Sequence, residues 1–256
     1  MWRKEMETAQ RAAMEAGRIL KGFYGNLKSI SKKGEIDLVT EADLASEKAV
    51  IDIISRKFPD DMILAEESGE QGEKSDRLWI IDPLDGTTNF AHSFPFFAVS
   101  IGFQAGNEIV AGVVYNPVMD EFFEAEKGKG AFLNKRPIKV SGCENLTDSL
   151  VATGFPYNVH KNSEPVLDYF KRMIVRVQGI RRPGAASIDL CYVAAGRLDG
   201  FWEQDLKPWD TAAGSIILRE AGGIISDYAG NPYNPYVKTI LASTPGIHDK
   251  MIDAFA

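Results

Sequence analysis

The residues with most chemical potential lie in one string, Trp79-Ile80-Ile81-Asp82-Pro83-Leu84-Asp85-Gly86-Thr87-Thr88-Asn89-Phe90. An apolar run ends on Asp82, and Pro83 behind it biases Asp82 towards extended backbone. Asp85 follows within a tight turn, so both carboxylates can converge on one point. Gly86 lets the backbone come close to a ligand, while Thr87 and Thr88 open a helix whose exposed N–H groups favour a phosphate. Oxygen ligands at a strand end beside such a helix start are what Mg²⁺ and a phosphate together need. A polar turn with an aspartate helix cap would show the same Asp-x-x-Asp, but the whole twelve-residue string is much more specific.

Other chemistries fit less well. An aspartyl-nucleophile phosphatase of the haloacid-dehalogenase type wants its aspartates two apart, and Asp82 and Asp85 are three apart. A P-loop needs Gly-x-x-x-x-Gly-Lys-Ser/Thr, which residues 69–75 match only superficially. A Ser-His-Asp hydrolase needs a histidine base beside a nucleophile elbow, and His92, His160 and His248 all lie outside such a context. Metal-activated water is the mechanism left standing.

The elements that must position these groups follow from periodicity. Residues 6–24 read as a helix with Ala13, Ile19, Leu20 and Phe23 among its buried positions. Thr40-Glu41-Ala42-Asp43 has the form of a capping box opening a second helix, whose stripe is Leu44, Ile51, Ile54 and Phe58 and which Pro59 closes. Residues 62–65 and 78–81 read as buried strands ending on acidic residues. Residues 96–103 alternate, with Val99, Ile101 and Phe103 on one face and the small Ala98, Ser100 and Gly102 on the other, as expected where another layer comes close. Ala105-Gly106-Asn107 turns into a strand over 109–115, and 120–133 reads as a further hairpin. Beyond it, short strands near 150–153, 179–181, 200–203, 224–227 and 239–242 alternate with helices near 166–175, 185–197, 211–221 and 248–255. Stacked α and β layers are the expectation, in one catalytic unit over 1–256. Its approximate halves are 1–145, α+β with an antiparallel sheet, and 146–256, α/β.

Composition narrows the function. Apolar residues make up 45% of the 256, enough for a sizeable core, and the formal net charge of −7 argues against a nucleic-acid-binding face. Cys143 and Cys191 have neither metal-ligand spacing nor a disulfide framework, which fits a reducing cytoplasm. The charged start Met1-Trp2-Arg3-Lys4-Glu5 lacks a leader's apolar core, and residues 94–103 are too short to span a bilayer. A cytoplasmic protein without a membrane partner is expected.

With these residues in view, the chain resembles the inositol monophosphatase family of lithium-sensitive, magnesium-dependent phosphatases. The resemblance covers nearly the whole chain. Residues 79–90 are similar to the family's first signature, and Pro208-Trp209-Asp210-Thr211-Ala212-Ala213-Gly214 to its second. Ala65-Glu66-Glu67-Ser68-Gly69-Glu70 resembles its glutamate segment. The resemblance implies a layered α-β-α-β-α sandwich, usually a homodimer. It implies Glu66, Asp82, the Leu84 carbonyl, Asp85 and Asp210 as ligands of two or three Mg²⁺, with Asp82 bridging two. It also implies that Glu66 and Thr87 hold the attacking water, with Asp43 hydrogen-bonded to Thr87, and that the Gly86 and Thr87 amides cradle phosphate. Plainer roles compete for three of these residues: Asp43 completes the capping box, Glu66 is an exposed charge, and Asp210 is an acidic residue at a helix N-terminus.

Gly179-Ile180-Arg181-Arg182-Pro183-Gly184-Ala185-Ala186-Ser187 resembles the family's substrate loop. The resemblance implies substrate contacts from Asp85, Gly86, Thr87, Arg181, Gly184 and Ala186, and polyol contacts from Glu203. Pro183 and Ala185 depart from the usual pattern. The implied substrate is inositol 1-phosphate, a small phosphorylated polyol. A dual fructose-1,6-bisphosphatase and inositol monophosphatase is the close alternative; a nucleotide 3′-phosphatase or a non-catalytic phosphate-binding regulator stands further off.

Overall fold

Small residues mark where layers of this molecule meet, and Gly102 and Gly112 show it most directly. The structure is a computed structural model describing residues 1–27, 29–32 and 38–255. Its helices are α1 (Arg3–Phe23), α2 (Glu41–Lys57), α3 (Thr87–Ala91), α4 (Glu164–Ile174), α5 (Ala186–Ala194), α6 (Pro208–Glu220) and α7 (His248–Phe255). A Cβ on Gly102 would stand 2.9 Å from the Ala212 Cβ, and one on Gly112 2.9 Å from the Ala213 Cα. Only glycines let α6 seat so closely on the sheet beneath it.

That sheet has eight strands, in the order Arg136–Ile138, Ala131–Leu133, Glu121–Glu126, Glu108–Asn116, Ala98–Ala105, Arg77–Asp85, Met62–Ala65 and Gly69–Gln71. All neighbours run antiparallel except Met62–Ala65 beside Arg77–Asp85. A second sheet of five strands runs Gly179–Arg181, Leu150–Thr153, Gly200–Gln204, Thr239–Ser243 and Ile224–Ser226. Its first two pairings are parallel and its last two antiparallel. α1 and α2 cover one face of the larger sheet; α5 and α6 lie between the sheets; α7 packs on the smaller sheet and against α4. The result is the expected α-β-α-β-α sandwich. Among the described residues, no helix is long and apolar enough to cross a membrane.

Apolar periodicity finds only part of the inner face of α2: Ile54 is buried and Ile51 and Phe58 pack against the core as expected. Leu44 is exposed, whereas the buried positions are Ala42, Asp43, Ser46, Glu47, Val50 and Ile54. Half of that face is polar, so a hydrophobic stripe could not reveal it. In α1 the buried side is built on Ala12, Ala13 and Ala16, with Ile19 and Phe23 only half-buried.

Candidate active site

In a regular strand, residues three apart point to opposite faces. Asp82 and Asp85 nevertheless line the same cavity. The strand register explains it: Asp82 pairs with Ser100 and Asp85 with Ala98, so one strand advances three residues while its neighbour advances two. Pro83 has no N–H for the ladder, and the bulge it occupies turns Asp85 to the side of Asp82. Asp82 Oδ1 then accepts the Leu84 amide at 2.9 Å, tightening the turn. Gly86 follows at φ +93°, where a Cβ would meet the Phe96 carbonyl at 3.0 Å, so glycine suits both the torsion and the space.

Thr87 opens α3 with its hydroxyl 3.0 Å from Asp43 Oδ1 and 3.1 Å from the Leu84 carbonyl. Asp43 is wholly buried; its other oxygen, Oδ2, accepts the Thr40 amide at 2.8 Å and the Thr40 hydroxyl at 2.6 Å. The two roles weighed for Asp43, helix cap and partner of Thr87, are therefore held together, one by each carboxylate oxygen. Burial raises its pKa, and these hydrogen bonds oppose the rise.

The cavity, of about 290 Å³, draws on both halves of the chain. Glu66 enters from the end of Met62–Ala65, where its amide donates to the Ile81 carbonyl at 3.1 Å and so sits beside Asp82. Asp210 comes from the first turn of α6, its Oδ2 accepting the Lys207 amide at 2.6 Å. The second half also secures Asp85: its Oδ2 accepts the Ser187 amide at 2.8 Å and hydroxyl at 2.5 Å, 102 residues along the chain.

The site is electrostatically crowded. Burial first, then the neighbouring charges of Glu66, Asp85 and Asp210, push the Asp82 pKa well above its ordinary value. Asp85 is raised to about 6, chiefly by burial and against the pull of Ser187. Burial and then Asp85 push Asp210 well up. Among the described residues, no three acidic, imidazole or thiol groups are gathered into a finished metal cage. The set is an open array of carboxylates with the Leu84 carbonyl, all hard oxygen donors. That suits a cation such as Mg²⁺, which keeps several waters and takes few protein ligands, and whose charge would relieve this crowding.

Gly184, Ala186 and Glu203 also line the cavity. Glu203 lies at the end of Gly200–Gln204 over Gly154, where any Cβ would overlap its carboxylate. Its pKa is pushed up to about 8 by burial, with Arg182 opposing and Asp85 adding. Arg181 is not where expected: it is exposed, outside the lining, and its guanidinium donates to the Ile180 carbonyl at 3.1 Å. The residue after it, one place beyond the end of the Gly179–Arg181 strand, is also exposed but borders the cavity. Arg182 lines the cavity, its guanidinium 5.6 Å from the centre of the Phe155 ring. Ser187 was visible in the sequence only as a small residue in the loop. Its partner, Asp85, is too distant along the chain for spacing to suggest.

Residues 1–256 match the inositol monophosphatase family. The chain is 46% identical over 253 residues to an inositol-1-monophosphatase of Synechocystis sp., covering 98% of this chain and 88% of that protein. It is 41% identical over 249 residues to a fructose-1,6-bisphosphatase/inositol-1-monophosphatase of Aquifex aeolicus, covering 96% and 93%. The crystal structure of the extragenic suppressor protein suhB from Bartonella henselae superposes with a TM-score of 0.93 at 46% identity, covering 98% of both chains. With the layered fold, the bulged Asp82–Asp85 turn and similarity along its whole length, the chain belongs to the inositol monophosphatase family.

Proposed function

We infer that this phosphatase hydrolyses inositol 1-phosphate to inositol and phosphate with Mg²⁺ as cofactor. The observation that carries the reading is the crowding of Glu66, Asp82, Asp85 and Asp210 around one cavity, each of the three aspartates raised by burial and by like charge. Glu66, Asp82, Asp85, Asp210 and the Leu84 carbonyl would hold the cations. Bound there, Mg²⁺ lowers the pKa of water and neutralises developing negative charge on phosphate and leaving oxygens. The chain's own residues do the rest. Thr87 Oγ1, steadied by Asp43, and the Glu66 carboxylate orient the attacking water in line with phosphorus. The Gly86 and Thr87 amides take phosphate oxygens, and Glu203 takes polyol hydroxyls. Li⁺ inhibition that strengthens with substrate concentration belongs to the same reading.

A second reading, a dual fructose-1,6-bisphosphatase and inositol monophosphatase, is favoured by Arg182. Its planar guanidinium at the cavity wall can take a second phosphate in a bidentate pair. The relative from Aquifex aeolicus carries both activities in its name. Phosphate release from inositol 1-phosphate and fructose 1,6-bisphosphate, with Mg²⁺ and with chelator, tests both. No Mg²⁺-dependent release from either ester would overturn the proposal. Arg182→Ala should lower bisphosphate turnover more than monophosphate turnover if the second reading holds.

A further inference from the structure

The polar inner face of α2 reaches three separate pieces of the acidic site. Asp43 takes the Thr87 hydroxyl, as described above. Ser46 Oγ donates to the Pro83 carbonyl at 2.9 Å. Glu47 Oε2 accepts the Glu67 amide at 2.8 Å. Positions 43, 46 and 47 are spaced i, i+3 and i+4, so a straight helix carries all three on one face. Ser46 is fully buried and Glu47 is 4% exposed. Burying such groups is costly unless each is bonded, and apolar side chains would fill the same face without that demand.

What each polar group holds is informative. Pro83 stands between Asp82 and Leu84, inside the bulge where strand pairing lapses, and its carbonyl is met by Ser46. Glu67 follows Glu66 directly. The Glu66 amide makes a backbone bond to Ile81, but the Met62–Ala65 strand has ended, and the next amide is met by Glu47. Each contact therefore replaces a backbone bond that the sheet no longer supplies, one residue away from a cavity carboxylate.

We propose that Ser46 and Glu47 are positioning residues of the acidic site, through which α2 fixes the separation between Glu66 and the Asp82–Asp85 turn. The role rests on the cation-binding part of the phosphatase reading of that site, and its direct consequence is cation affinity. Removing a partner that orients a ligand typically costs about 10–100-fold in metal affinity or activity. Ångström-scale misplacement of an orienting group has a similar effect on rate.

The test is Mg²⁺ binding by titration calorimetry on the full chain, with a melting temperature for every variant. Glu47→Ala should weaken Mg²⁺ about 10–100-fold. Glu47→Gln keeps an oxygen to accept the Glu67 amide and should stay within about threefold of wild type. Ser46→Ala should weaken Mg²⁺ by about tenfold. Val50→Ala, which opens space in the wholly buried apolar part of the same helix, should lower the melting temperature and leave Mg²⁺ affinity unchanged. The Glu67 amide resonance should move in Glu47→Ala and hold its place in Val50→Ala.

Unchanged Mg²⁺ affinity in Glu47→Ala would overturn the proposal, and so would an equal loss in Val50→Ala. No Mg²⁺ binding by wild type would overturn it too. A wild-type protein that binds Mg²⁺ but releases no phosphate from either ester would sink the phosphatase reading and leave the positioning role standing.

Discussion

The two ends of the Arg77–Asp85 strand bury acidic groups to opposite effect. At its start, Arg77 Nε donates to Asp61 Oδ1 at 2.6 Å, and a second guanidinium nitrogen reaches Asp61 Oδ2 and Glu5 Oε1, each at 2.9 Å. The Trp79 indole adds a bond to Asp61 at 2.9 Å, and the guanidinium stands 4.8 Å from the Phe103 ring centre. Every charge there has a counter-charge or a donor. At its end, Asp82 and Asp85 are as buried as Asp61, yet amides and a serine hydroxyl are their hydrogen-bond donors. One end is closed and contributes stability. The other is kept short of positive charge, and the fold gives up stability to hold it so.

The comparison breaks most visibly by substitution. Asp82→Asn keeps the shape but removes one negative charge from the crowded end. Turnover should fall by about a hundredfold or more, while the melting temperature of the metal-free protein rises. Asp61→Asn at the other end should do the reverse. Losing charge-assisted bonds to Arg77 should cost about 2–3 kcal/mol of stability and leave KM for the phosphate ester near its wild-type value. Phosphate release and calorimetric unfolding on both variants decide it. An Asp82→Asn protein with near-normal Mg²⁺-dependent turnover would refute the site assignment.

The crowded end should also set how stability depends on pH without metal. Asp85 has its folded pKa raised from 3.8 to about 6. A raised carboxylate adds stability that is fully present below pH ~4 and is lost as pH climbs through about 6. At 1.36 kcal/mol per unit the loss is at most about 3 kcal/mol. Denaturant midpoints between pH 4 and 7, in chelator, should therefore fall with pH in wild type and fall less in Asp85→Asn. Equal slopes in the two proteins would mean that Asp85 ionises freely in the fold.

A smaller effect sharpens the contrast between a group that is held and one that is merely buried. Ser187→Ala removes the hydroxyl bond to Asp85 and leaves the Ser187 backbone amide in place. Activity should fall by about tenfold, as for other partners that orient a ligand, with little change in melting temperature. A loss of stability without a loss of activity would make Ser187 a packing residue instead.

How much of this was legible beforehand differs between the parts. The Asp82–Asp85 turn declared itself because Pro83, Gly86 and the threonines each carry a backbone requirement that reads directly from residue type. The layers did too, since the small face of Ala98, Ser100 and Gly102 permits close packing and little else. Three things stayed hidden. The inner face of α2 is half polar, so a hydrophobic stripe caught Ile51, Ile54 and Phe58 but added the exposed Leu44 and missed Ser46 and Glu47. Arg181 and Arg182 are adjacent and chemically equal; only the path of the chain as it leaves the Gly179–Arg181 strand separates the one at the cavity from the one outside it. Ser187 meets Asp85 across 102 residues, a pairing that exists only once the two halves have folded together.

The smallest expected effect comes from a buried site that meets its hydrogen bonds without any charge at all. His248 is 4% exposed, with Nε2 3.0 Å from Ser226 Oγ and Nδ1 2.8 Å from Ser243 Oγ. The Ser226 hydroxyl donates to the Asp227 carbonyl at 2.7 Å, so its oxygen is free to accept. Nε2 therefore carries the proton, and Nδ1 accepts from Ser243. Protonating Nδ1 would set two donors against each other and turn the Ser243 hydroxyl away. Burial lowers the pKa of this imidazole, against the raising influence of Asp249. The shift is opposite in direction to that of Asp85 but has the same cause, burial of a group that would be charged. A depressed histidine is neutral in the fold, the unfolded chain takes up its proton first, and stability falls as pH drops below about 6.5 and levels off beneath the folded pKa. Proton NMR of the His248 ring, with denaturant midpoints of wild type and His248→Asn between pH 5 and 8, measures both halves of the argument. The ring should titrate below its ordinary 6.5, and the acid-side fall should vanish in the variant. A ring that titrates at or above 6.5 would mean that the serine pair accommodates the charged form.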